Sequence, residues 1–140
     1  MNTRAIRLTL LSLILWMGIH CANAFDGVVI VDDSTPATSL KADELKNILT
    51  GKTKYWENGT AIVIVYVDQK AEKELQSACG MNSSAFKTFW QRLAFSGRGQ
   101  QPKKADDVPA AVALVKANKG SIAVVTADAD ITGVKKVEIK

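Results

Sequence analysis

Few side chains in this sequence are of a type that can do covalent chemistry, and their placement works against it. The only histidine, His20, and one of the two cysteines, Cys21, lie within the first 24 residues. If that segment is removed on export, neither a Ser-His-Asp nor a Cys-His arrangement can be built from what remains. Cys79 is then the sole thiol, so no internal disulfide can form, and no obvious partner stands ready to activate it. Paired carboxylates occur at Asp32-Asp33, Asp106-Asp107 and Asp128-x-Asp130. Each is more economically a turn or a helix start than a metal site, and the last lacks the glycine and distal glutamate of a calcium loop. No catalytic residue, metal site or cofactor is expected.

Anion binding is the chemistry that the sequence does permit. In open α/β sheets, ligands collect beyond the carboxyl ends of the strands, where helix N-termini present free N–H groups. Three segments have that placement: Asp32 to Thr35, Asp68 to Lys70, and the cap at Asn82 to Ser84. Ser34, Thr35 and Lys70 would be donors, with Ser83 and Ser84 at the third segment. The plainer alternative is a polar turn at 32–35 and a solvated lysine at 70. Gly97-Arg98-Gly99 could hold an anion in a backbone nest, although a loop turn is the default for a lone Gly-x-Gly.

A single domain must position these residues, because the chain has 140. Residues 1–24 read as a signal peptide, with Arg4 and Arg7, an apolar run from Leu8 to Ile19, and Ala22-Asn23-Ala24 before Phe25. The run is short for a bilayer span and no second one follows. A lipoprotein reading at Cys21 is weakened by His20, where a small residue is wanted. The expected division is therefore a signal peptide over 1–24 and a folded domain over 25–140. The formal net charge is +4, and Arg4 and Arg7 contribute two of those charges. The basic balance is partly a property of the leader, and no strong basic patch of the kind nucleic-acid binding needs is visible.

The unbroken apolar runs Gly27 to Val31 and Ala61 to Val67 predict strands covered on both faces, as in a parallel sheet between helices. Between them, Ser39 could cap a helix with Leu45, Ile48 and Leu49 inward and Gly51 as its stop. That would be a β-α-β unit with a right-handed crossover. A short charged helix over Ala71 to Ala78, ended by Gly80, comes next. Phe86, Phe89, Trp90 and Leu93 then fall at i, i+3, i+4 and i+7, one buried face of a helix capped at Asn82. Gly97 to Lys104 reads as a loop. Asp106 and Asp107 open a further helix, with Pro109 in its first turn, an inner face of Val108, Ala111, Val112 and Val115, and Gly120 as terminator. Ser121 to Val125 is a third buried strand, and Val134 to Ile139 a weaker fourth, expected at an edge.

Three stretches taken together, LKADELKNILTGKTKYWENGTAIVIV, FWQRLAFSGRGQQP and VPAAVALVKANKGSIAVV, resemble the phosphate ABC transporter substrate-binding family, in its short single-lobe form. The matching positions are Leu49, Gly51, Lys52, Trp56 and Gly59 before a strand, then Trp90, Phe95, Gly97, Gly99 and Pro102, then Gly120, Ile122 and Val125 of a last strand that has Ala123 and Val124 in place of the family's glycine and tyrosine. The resemblance implies a three-layer α/β sandwich of the type II periplasmic-binding-protein kind, with a mostly parallel sheet. It also implies a periplasmic location, phosphate or a related oxyanion as ligand, and an inner-membrane permease or other envelope protein as partner. Full-length members clamp the anion between two lobes, and this chain is about the size of one. They also carry an arginine and a serine-glycine-threonine turn where this chain reads Asp68-Gln69-Lys70-Ala71-Glu72. Asp68 could instead accept a hydrogen bond from a protonated oxyanion. Two readings stay open: a solute-binding module, or a binding-protein fold without a small-molecule ligand that serves as an interaction or accessory domain.

Overall fold

The structure is a computed structural model and describes residue 25 and residues 27–140; the expected signal peptide at 1–24 lies outside the described residues. The elements are β1 (Gly27–Val31), β2 (Ser39–Leu40), α1 (Ala42–Leu49), β3 (Val63–Val67), α2 (Glu72–Cys79), α3 (Ser83–Phe95), β4 (Lys103–Ala105), α4 (Val108–Ala117), β5 (Ser121–Thr126) and β6 (Lys135–Ile139). The strands form one mostly parallel sheet in the order β2-β6-β1-β5-β3-β4, flanked by helices. β3 pairs parallel with both β4 and β5, and β2 parallel with β6, whereas β1 runs antiparallel to β5 and β6. Five strands therefore point one way and β1 points back.

Alternation along the strands sorts the core into two layers. Val29 and Val31, Ile64 and Tyr66, Ile122 and Val124 face α1, α2 and α3. Ile30, Val65 and Val67, Ala123 and Val125 face Ala111 and Val115 of α4. Successive crossovers account for this arrangement. The link from β3 through α2 and α3 leads to β4 on one side, and the link through α4 returns past β3 to β5 on the other. Two right-handed crossovers that run in opposite directions must place their helices on opposite faces.

Several elements differ from the sequence expectation. β1 and β3 are not a β-α-β pair, because β5 lies between them and β1 is reversed. An apolar strand reads the same in either direction, so only the ladder decides. Ser39 does not cap α1: it pairs with Glu138 in β2, and the N-cap is Lys41, whose N–H donates to the Glu44 carboxylate at 2.8 Å. Lys103 and Lys104, the end of the stretch read as loop, belong to the edge strand β4, which these two exposed lysines disguise. β6 is not an edge strand, since the two residues of β2 cover it.

Two tryptophans fasten the α1 side. The Trp56 indole N–H donates to Gly120 O at 2.9 Å, and the Trp90 indole N–H to Leu49 O at 3.0 Å, capping a carbonyl left open at the end of α1. Phe86 stands between Tyr66 and Trp90, with ring centroids 5.2 and 6.3 Å away. The indole of Trp90 is itself seated between two glycines. A Cβ on Gly51 would meet it at 2.9 Å, and one on Gly99 also at 2.9 Å. The substitution Gly99→Ala should therefore overpack a rigid, buried ring and destabilise the protein by about 1–3 kcal/mol, measured by chemical denaturation followed through tryptophan fluorescence.

Candidate functional site

The direction of β1 separates the residues that the sequence had grouped. Val31 pairs with Ile122, near the start of β5, so the turn after β1 lies at the amino edge of the parallel strands. There Asp32 is buried, and its carboxylate accepts from the hydroxyls of Ser34 and Thr35, from Ser34 N at 3.1 Å and from Gly120 N at 2.8 Å. The Thr35 carbonyl in turn accepts from the Lys135 ammonium. Burial alone would raise the Asp32 pKa, but the hydrogen bonds from Ser34, Thr35 and Gly120 outweigh it and hold the carboxyl below its usual 3.8. This is a staple between the β1–β2 turn and the α4–β5 turn. Ser34 and Thr35, expected as anion donors, spend their hydroxyls on Asp32.

The other four expected residues lie at the opposite, carboxyl edge. Asp68 follows β3 and forms an ion pair with Lys104 at 2.8 Å, both side chains partly exposed. The hydrogen bond from Lys104 to Asp68 raises the lysine pKa. Gln69 adopts φ 65°, a left-handed conformation rare for a residue other than glycine. It sits in the turn where the resemblance implies a serine-glycine-threonine sequence. Lys70 is exposed, and its N–H donates to Asp68 O at 2.7 Å.

Two helix N-termini converge next to this turn. At α2 the N-cap is Ala71, which offers no side-chain acceptor, so the first-turn N–H groups have no cap from it. At α3, Asn82 caps Ala85 N at 2.8 Å. Ser83 N donates to a Glu72 carboxylate oxygen at 3.3 Å, so the first residue of α2 reaches the first residue of α3. The Ser83 hydroxyl is buried with no hydrogen-bond partner among the described residues, which is costly unless something else satisfies it. Ser84 is exposed on the same turn.

Glu72 and Lys104 are the residues that sequence reasoning missed. Glu72 carried only the generic signal of an acid in a first helical turn, and Lys104 lay in a stretch read as loop. Besides Asp68 and Glu72, this edge carries Asp106, Asp107 and Asp128, which follow β4 and β5. Asp107 is committed to capping α4 at Ala110 N, 2.8 Å away. Cys79 is buried and donates to Leu75 O at 3.2 Å; burial pushes its thiol pKa up, which makes it a poor nucleophile. Among the described residues, no group of three or more His, Cys, Asp or Glu could hold a metal ion, and no helix is long and apolar enough to cross a membrane.

Residues 21–139 match the family described as PBP superfamily domain. No protein of curated function matches the sequence. Solved structures with the same fold include a protein assigned as a phosphate ABC transporter substrate-binding protein, with bound phosphate, from Clostridium perfringens: 18% identity, TM-score 0.63, covering 81% of this chain and 44% of that one. A phosphate-binding protein from Stenotrophomonas maltophilia is 17% identical with TM-score 0.61, covering 82% of this chain and 39% of that one. An ABC-type phosphate transport receptor from Vibrio cholerae is 15% identical with TM-score 0.56, covering 81% and 46%. At such identities the likeness shows the fold. The chain spans less than half the length of these proteins.

The Asp32 staple yields a direct test. Because the folded-state pKa is lowered, its contribution is complete above the unfolded value near 3.8 and disappears as pH falls through the folded one. The variant Asp32→Asn should cost about 1–3 kcal/mol at neutral pH, and its urea stability should vary less between pH 5 and pH 3 than that of the parent.

Proposed function

The chain belongs to the PBP superfamily, and on that premise we propose that it is an exported, periplasmic solute-binding module, residues 25–140, that takes phosphate or a related oxyanion for an ABC-type uptake system. The proposed site is the corner where the N-termini of α2 and α3 meet at the carboxyl end of β3. Links from β3 run first to β4 and then back to β5, and ligands of open α/β sheets bind outside the carboxyl ends at such a reversal. The observation that carries the reading is the buried, unpartnered Ser83 hydroxyl at the start of α3. Ser83 and Ser84 would donate to the anion, Lys70 would supply positive charge, and Asp68 would accept from a protonated oxygen. Nucleic acid is not among the proposed partners; an inner-membrane permease or another envelope protein is.

One observation favours a second reading, an interaction or accessory domain without a small-molecule ligand. The Glu72 carboxylate already stands where Ser83 N would meet an anion, and the Asp68–Lys104 pair ties up a cation. A dianion entering this corner meets carboxylates first, and like charges at a few ångströms repel by several kcal/mol at the effective dielectric of a protein surface, about 4 kcal/mol at 4 Å.

Isothermal titration with phosphate and with sulfate separates the two readings. Solute binding is expected to give a saturable heat that Ser83→Ala weakens by about tenfold or more, the loss of one hydrogen bond to a charged group. Glu72→Gln, which removes the resident charge, should tighten binding. Silence of both the parent and the Glu72→Gln protein at millimolar anion would leave the second reading standing.

A further inference from the structure

A groove of about 580 Å³ lies at the amino edge, away from the carboxyl corner, between the Thr53–Tyr55 segment and the Gly97–Gln101 loop, over the beginning of β3. Its floor is apolar, made by Ile48, Ile62, Ile64 and Trp90. Lys54, Arg98 and Lys103 stand on its rim, and no aspartate or glutamate lines it. All three cations are exposed. The one ion pair found among the described residues is at the other edge, between Lys104 and Asp68.

Aromatic exposure marks the same end of the molecule. Tyr55 and Phe95 are the large hydrophobic side chains left exposed among the described residues, at 63% and 96%. Tyr55 lines the groove, and Phe95 ends α3 two residues before the loop that forms its wall. A phenylalanine almost wholly in water contributes nothing to the core of this fold. Aromatic anchors beside an arginine are the composition of protein interfaces. The groove also begins at Lys103, the first residue of β4, whose outer side has no neighbouring strand among the described residues.

We infer that this groove docks an extended acidic segment of a partner protein. Its carboxylates would meet Lys54, Arg98 and Lys103, its apolar side chains would rest on Tyr55 and the isoleucine floor, and the amides of Gln100 and Gln101 would bond its backbone. Charge complementarity selects the occupant: three cations without a counter-carboxylate repel a basic or identical surface and attract an acidic one. A simple oxyanion is far too small for the groove and would leave the floor wet. An extended peptide is the shape that fits along the open side of a sheet. This surface is independent of the carboxyl corner, so its failure and the failure of solute binding can be told apart.

Fluorescence anisotropy with the purified protein and a labelled peptide of Asp and Glu interspersed with Leu and Phe tests the inference. The expected result is saturable binding that weakens as salt is raised. Lys54→Glu combined with Arg98→Glu should weaken it at least about tenfold, and Tyr55→Ala by several-fold. These positions are solvent-exposed, so circular dichroism and Tm should match the parent, and Glu72→Gln should leave the peptide affinity unchanged. Absence of saturation at millimolar peptide, equal affinity for the charge-reversed protein, or equal binding of a lysine-rich peptide or a single-stranded oligonucleotide would each overturn it.

Discussion

The reversed direction of β1 is the constraint on which the rest of this structure depends. β1 lies at the centre of the sheet and pairs with β5 along all five of its residues, from Gly27 with Thr126 to Val31 with Ile122. Its carboxyl end is consequently delivered to the edge where the other strands begin. Asp32 then finds Gly120 N rather than a ligand. Had β1 run with its neighbours, Ser34 and Thr35 would stand beside Asp68 and Lys70. Instead the chain has a closed, fully bonded turn at one edge and an underbonded corner at the other.

That corner is balanced rather than simply receptive. Two helix N-termini concentrate N–H groups and the positive ends of two dipoles, which favours an anion. The chain supplies part of one from within, through Glu72 at Ser83 N. It leaves the Ser83 hydroxyl unmatched and a left-handed glutamine in the adjacent turn. Backbone strain and an unmet buried donor persist in folded proteins where the surroundings enforce them, and they gather at ligand sites more than elsewhere. The opposite edge has a different character, with cations and exposed aromatics around a groove, so the two ends of the sheet are suited to different kinds of partner.

Most of the fold was legible in the sequence. The 3.6-residue stripe of α3, its Asn82 cap, the Asp107 start of α4 and the apolar runs of β1, β3 and β5 all stand where periodicity and capping chemistry put them. Local physics decides those features. The glycines in the stretches that carry the family resemblance were legible for a reason visible only in three dimensions: Gly51 and Gly99 are the two sides of the Trp90 seat. Strand direction was not legible, because Val-Val-Ile-Val has no polarity. For the same reason the sequence could not separate the candidate residues: Ser34 and Thr35 follow a strand end, and only the reversal of β1 places them at the edge opposite Asp68 and Lys70. Lys103–Ala105 escaped notice because three residues with two lysines carry no strand signal, and only pairing with Val65 to Val67 makes them one.

The most direct test of this account is a map of backbone amide shifts during a phosphate titration, read by heteronuclear NMR on the isotope-labelled protein. Movement is expected only at the carboxyl corner, at Lys70, Glu72, Ser83 and Ser84, with the amides of Ser34, Thr35 and Gly120 at rest. Shifts centred on Ser34 and Thr35, or on the Arg98 loop, would contradict it.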